Sequence, residues 1–163
     1  VSEHMPGPMR EYSFSFSSDL RASPEEVWSH ATHMPGVNRE FFPLARMTWP
    51  GPDGRLPSPP PLGQRLFRSW ILLFGLLPID YDDLTLVEFE PGRRFLESSV
   101  MFTQKQWVHE RIVIPTATGC RLTDSVRFIP RLRPLGALQL VIFRMSFHWR
   151  HRNLRRLFKG QAA

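Results

Sequence analysis

The chain has one cysteine, two tyrosines and, beyond Asp124, no acidic residue at all. A lone Cys120 cannot close an internal disulfide, so nothing of that kind staples the fold, and a reducing, cytoplasmic setting is the expectation. No apolar run approaches the ~20 residues that a membrane-spanning helix requires. The longest, Trp70 to Ile79, is broken by Gly75 and Pro78. G-x-S-x-G, G-x-x-x-x-G-K and G-x-G-x-x-G are all missing, and Cys120 has no histidine close by in sequence. Those absences exclude the nucleophile elbow and the glycine-rich phosphate cradles as sources of chemistry.

What is present suits one compact core. In 163 residues, 42% are hydrophobic and 12% aromatic, enough for one domain and too little for two. Residues 1–10 lack the apolar stretch of a secretory signal and read as a flexible polar leader, with a single domain over 11–159. The net charge of +6 is unevenly spread: residues 1–124 carry twelve basic against fifteen acidic side chains, whereas 125–163 carry nine basic and none acidic.

Glu11 to Ser17 alternates aromatic and polar residues, the period of a half-buried strand. Ser23-Pro24-Glu25-Glu26 supplies an N-cap, a proline at the first helical position and a capping-box glutamate, predicting a short helix to His33. A second helical turn follows over Val37 to Phe42. Pro50 to Gly63, with six prolines and three glycines, is a long loop and a candidate lid. Strands are expected at 65–74, 79–89, 93–101, 105–114 and 120–129, then a helix from Pro134 to Phe158. The expected class is therefore α+β. A curved antiparallel sheet of about six or seven strands wraps a long C-terminal helix, with two short helices after the first strand, in a helix-grip arrangement.

The opening F-S-S-D-L-R-A-S-P-E-E-V-W (Phe16 to Trp28), the segment His33 to Thr48, the W-V-H-E-R hairpin, L-T-D at 122–124 and the terminal R-H-R-N-L-R-R-L-F resemble the START-related or SRPBCC superfamily, which includes Bet v 1-like proteins and polyketide cyclases. The resemblance covers nearly all of the chain from Tyr12 and implies a cavity between sheet and terminal helix. This chain has Arg111 where that branch often has a second histidine. What the members share is a pocket rather than a reaction.

The hairpin carries the most pointed polar cluster. With its turn near Ala117 and Thr118, Arg111 falls opposite Asp124, and His109 falls diagonal to the same carboxylate. His109, Arg111 and Asp124 could orient a ligand's polar end, move a proton, or tie two strands together as an ion pair. Tyr81, Trp107, Val126, Phe128, Leu138, Ile142, Met145 and Trp149 are the expected wall of the cavity. Asp80, Asp82 and Asp83 read as exposed strand-end acids, and no metal or other cofactor is expected, since IDYDDL lacks the glycine and late glutamate of a calcium loop.

Three functional readings stay open. The first is binding or carriage of a small hydrophobic or amphipathic ligand, such as a lipid, polyketide or aromatic metabolite. The second is a metal-free acid–base enzyme of the cyclase, aromatase or dehydratase type in the same pocket. The third is a peripheral membrane or partner-binding module that uses the basic stripe Arg144, His148, His151, Arg155 and Lys159. No nucleic-acid recognition motif accompanies the charge, so no nucleic-acid partner is expected. The segment Trp70 to Leu77 would offer a sticky pocket mouth or a homodimer patch.

Overall fold

The computed structural model describes residues 9–159; most of the expected leader lies outside them. The elements run β1 (Tyr12–Leu20), α1 (Pro24–Ala31), α2 (Met34–Phe41), β2 (Ala45–Met47), β3 (Arg65–Leu73), β4 (Leu77–Glu90), β5 (Arg94–Met101), β6 (Gln104–Thr116), β7 (Gly119–Pro130) and, after one 3-10 turn at Arg133–Leu135, α3 (Gly136–Leu157). Seven strands form one antiparallel sheet in the order β1-β7-β6-β5-β4-β3-β2. The expected helix-grip class is the observed one.

Local signals account for most boundaries. Ser23 caps α1 with a complete capping box. α2 begins earlier than expected, at Met34, because Pro35 sits within its first turn, where a missing N–H costs nothing. Thr116 pairs Gly119, so the β6–β7 hairpin turns at Ala117 and Thr118 and the expected register holds: Arg111 faces Asp124 and His109 faces Val126.

Alternation then sorts the sheet into two faces. Phe14, Trp107, Val126 and Phe128 point to the concave side and meet Phe147 and Phe143 of α3. A second apolar cluster, with Leu20, Val27, Trp28, Val113, Leu122 and Leu154, closes the end beneath α1. α3 lies along β1, α2 and β7 rather than over β3, β4 and β5. Gly136 lets this helix start close to the sheet, since a side chain there would strike the Tyr12 ring 2.4 Å away. No helix among the described residues is long and apolar enough to cross a membrane.

Candidate functional site

The centre of the concave face is charged. Asp124, fully buried on β7, accepts two hydrogen bonds from the Arg111 guanidinium, at 2.7 and 2.8 Å, and one from His109 Nε2 at 2.7 Å. His151 Nε2 of α3 donates to its other oxygen at 3.0 Å. Its Nδ1 lies within hydrogen-bond distance of Ser18 Oγ, at 2.8 Å. Arg111 turns its outer edge to Glu40 of α2 through two bonds of 2.9 Å, and Arg150 of α3 donates twice to the same carboxylate, at 3.0 and 2.7 Å. One strand pair and the helices α2 and α3 are thus pinned through Glu40 and Asp124.

On the other side of His109, Nδ1 stands 3.5 Å from Glu97 of β5, which also accepts from Ser99 Oγ at 2.7 Å. Asp82 of β4 faces this pair, and its Oδ1 is buried without a partner among the described residues. Gln104 Oε1 and Gln139 Oε1 are also buried without a partner among the described residues. Asp80 is held by Thr103, whose hydroxyl and N–H both donate to it, and by the N–H of Tyr81.

Burial and charge compete at each group. Burial raises the Glu40 pKa, but the adjacent Arg111 and Arg150 guanidiniums outweigh it and hold the carboxyl at about 2. Asp124 is likewise held well below the usual carboxylate range, chiefly by Arg111, against the effect of burial. Desolvation alone would lower the His109 pKa; the Asp124 and Glu97 carboxylates more than offset it, so it is raised and the imidazolium is favoured. Asp82 moves strongly upward, first because it is buried and second because Glu97 is close. Burial also lowers the pKa of His30, beside Glu40.

Several expected wall residues are placed differently. Trp107, Val126 and Phe128 are buried core, packed on Phe143 and Phe147 rather than lining an open space. Leu138, Ile142 and Met145 are 57%, 49% and 67% exposed, because the opposite row of α3 (Phe143, Phe147, Leu154) is the one that grips the sheet. Trp149 lies on that outer side too, with its Nε1 donating to the Phe42 carbonyl at 2.9 Å. Tyr81 pairs Trp70, one position out of phase with Asp82 and Met101, which puts it on the convex face with Trp70, Phe102 and Arg68. Asp80 and Asp82 are buried rather than exposed; only Asp83 meets surface partners, Arg68 and Arg65. The expected basic stripe is interrupted, with His151 buried and Arg155 donating to Ser18.

Sequence reasoning missed Glu40, Glu97 and Arg150, and it set His151 on the exposed basic stripe although it is buried. A signal was available for Arg150 and His151: they stand three and four residues after Phe147, on the inner row itself.

Two open hollows stand out among the described residues, both outside the space between the sheet and α3. One, of about 510 Å³, lies on the convex face around Ser13, Ser125, Arg127 and Glu110. The other, of about 580 Å³, is a cleft between α1 and the proline-rich loop, walled by Trp28, Phe89, Leu56, Leu62 and prolines, with Ser29, Thr32, His33 and Arg55. Among the described residues no cluster of His, Cys, Asp and Glu is arranged as a metal-binding group.

A family model described as a domain of unknown function, DUF8410, matches residues 18–158. No curated protein matches the chain. Among solved structures, protein CV1439 from Chromobacterium violaceum is similar at a TM-score of 0.67 and 15% identity, over 94% of this chain and 100% of that one. Ara h 8.0201 is similar at 0.64 and 8% identity, over 93% and 100%. The di-domain ARO/CYC StfQ, from the steffimycin biosynthetic pathway, is similar at 0.61 and 9% identity, over 91% of this chain and 51% of that one. What these structures share with the chain is the fold, a curved antiparallel sheet that grips a long C-terminal helix, as in the Bet v 1-like proteins.

Proposed function

We propose, from the premise that the chain belongs to the DUF8410 family and has the Bet v 1-like fold, that it binds a small amphipathic ligand on the half of the concave face that α3 leaves to β3, β4 and β5. The observation that carries this reading is the buried Oδ1 of Asp82 on β4, which has no partner among the described residues; Gln104 of β6 and Gln139 of α3 carry two further buried oxygens without one. A buried unpaired acceptor costs about 1–3 kcal/mol. A ligand offering hydroxyl or amine donors recovers that cost.

His109, Arg111 and Asp124 support such a site as positioning residues: they fix the strands and α3 around it. A general-base role for His109, which the cyclase-type alternative needs, is disfavoured because two carboxylates hold its proton in place.

A second reading rests on the 580 Å³ cleft, whose volume is that of ordinary ligand pockets and whose apolar wall carries the Arg55 cation. Native mass spectrometry of the purified protein separates the two. The concave site predicts a retained small molecule that is lost in Asp82→Leu or Gln139→Leu and kept in Arg55→Ala. The opposite pattern moves the site to the cleft, and no retained or added amphipathic ligand in any form rejects both.

A further inference from the structure

α3 turns its Phe143–Phe147 row inward, which leaves Leu138, Ile142 and Met145 as an apolar row on the outer surface. That row does not end at the helix. Trp149 bonds the Phe42 carbonyl, Phe42 is 71% exposed, and Leu44, two residues on, accepts from the N–H of Phe74 at 2.8 Å. Phe74 opens the β3–β4 turn, where Leu76 and Leu77 are 85% and 59% exposed. Hydrogen bonds therefore join the helix row to the hairpin tip through the segment from Phe42 to Leu44, and we take the exposed apolar side chains along that path together as a rim.

The charge around the rim has one sign. Segments 41–47, 72–79 and 131–157, which build it, contain no acidic residue. Arg46 lies beside Gly75 at the tip, and Arg152 lies over the Trp149 ring at 5.3 Å. Arg144 is exposed one position from Met145. An exposed apolar surface of this kind needs a cover. A second copy docking by the same face would set these arginines against each other with no acid in the segments to neutralise them. A nucleic acid would leave Leu76, Ile142 and Met145 in water. An anionic bilayer satisfies both halves, its head groups meeting the arginines and its acyl boundary the apolar side chains.

We propose that this rim docks the protein on an anionic lipid surface, with the β3–β4 tip and the outer face of α3 in contact with the bilayer. The contact is peripheral, and it does not depend on where a small ligand binds. Flotation with vesicles of equal parts phosphatidylcholine and phosphatidylglycerol should recover the protein, with recovery falling as salt rises, whereas phosphatidylcholine alone should recover little. Leu76→Glu and Met145→Glu should each weaken partition at least about tenfold, since each places a charge where an apolar chain was buried. Ile114→Glu, at an exposed apolar position away from the rim, should not. Arg144→Gln with Arg152→Gln should weaken binding to the anionic vesicles with every apolar contact intact, and near-UV circular dichroism confirms that each variant is folded. Partition that survives both glutamate substitutions overturns the proposal. So does a concentration-dependent dimer, lost in the same variants, without vesicle binding.

Discussion

Replacing Glu40 with glutamine tests the central network most directly. The side chain is fully buried and receives two hydrogen bonds each from Arg111 and Arg150, with His30 at 3.5 Å. Glutamine keeps the shape and removes the charge. Arg111 retains Asp124, but Arg150 loses its one anionic partner among the described residues and keeps a neutral amide beside the Phe41 and Phe147 rings, 4.4 and 4.8 Å from its guanidinium carbon. Two routes to the magnitude agree. The drop in pKa from 4.5 to about 2 corresponds to about 3 kcal/mol of preference for the charged form in the folded state. Breaking one side of a buried ion pair costs about 3–5 kcal/mol.

Urea denaturation followed by circular dichroism at pH 7 should therefore show Glu40→Gln less stable by about 3 kcal/mol, and the midpoint of melting lower by roughly 6–12 °C. The sign of the pH dependence follows from the depressed carboxyl. Its contribution is complete above 4.5, the ordinary value, and fades as pH falls from there toward about 2. The gap between the parent and Glu40→Gln should close across that window. A gap below about 1 kcal/mol at pH 7, or one that stays constant on acidification, would refute the claim that the Glu40 charge holds α2 and α3 to the sheet.

Asp82 behaves oppositely. Its folded pKa is raised, so the unfolded chain ionises first as pH climbs above 3.8, and the folded state loses ground. Asp82→Asn should consequently be at least as stable as the parent at pH 7 and little changed at pH 3, read by thermal melts at both; a large loss at pH 7 would mean that the ionised carboxylate is what the fold uses. The orientation of α3 is tested by a pair of truncations. Phe147→Ala should cost about 3–5 kcal/mol and Met145→Ala within about 0.5 kcal/mol, and equal costs in denaturant titrations would contradict the assignment of inner and outer rows.

Where structure depends on neighbours in sequence, the chain is legible. Ser23 through Glu26 mark the start of α1, and the turn at Ala117 and Thr118 sets the register that brings Arg111 to Asp124. The faces of α3 are a different problem. Leu138, Ile142, Met145 and Trp149 make a row as apolar as Phe143, Phe147, Leu154 and Phe158, so periodicity alone does not decide between them. The tie is broken by Glu40, more than a hundred residues away, which needs Arg150 inside. Asp80 and Asp82 were readable in part: they share strand phase with Leu84 and Leu86, an inward pattern masked by the expectation that carboxylates stay wet.

The charged interior and the apolar exterior are two consequences of one rotation of α3. Its two rows lie on opposite sides of the helix, so the sheet can receive only one. Burying Leu138, Ile142 and Met145 would contribute about 1.5–3 kcal/mol each. It would also carry Arg150 and His151 away from Glu40 and Asp124, leaving Arg111 as the one guanidinium between two fully buried carboxylates, and breaking a buried ion pair costs about 3–5 kcal/mol. With Phe143 and Phe147 already giving the inner row its own aromatic contacts, the balance favours the charged side inward. The exposed Leu138–Met145 row is then a consequence of the network, and its nearness to an acid-free, arginine-bearing tip is what turns that consequence into a surface able to meet lipid.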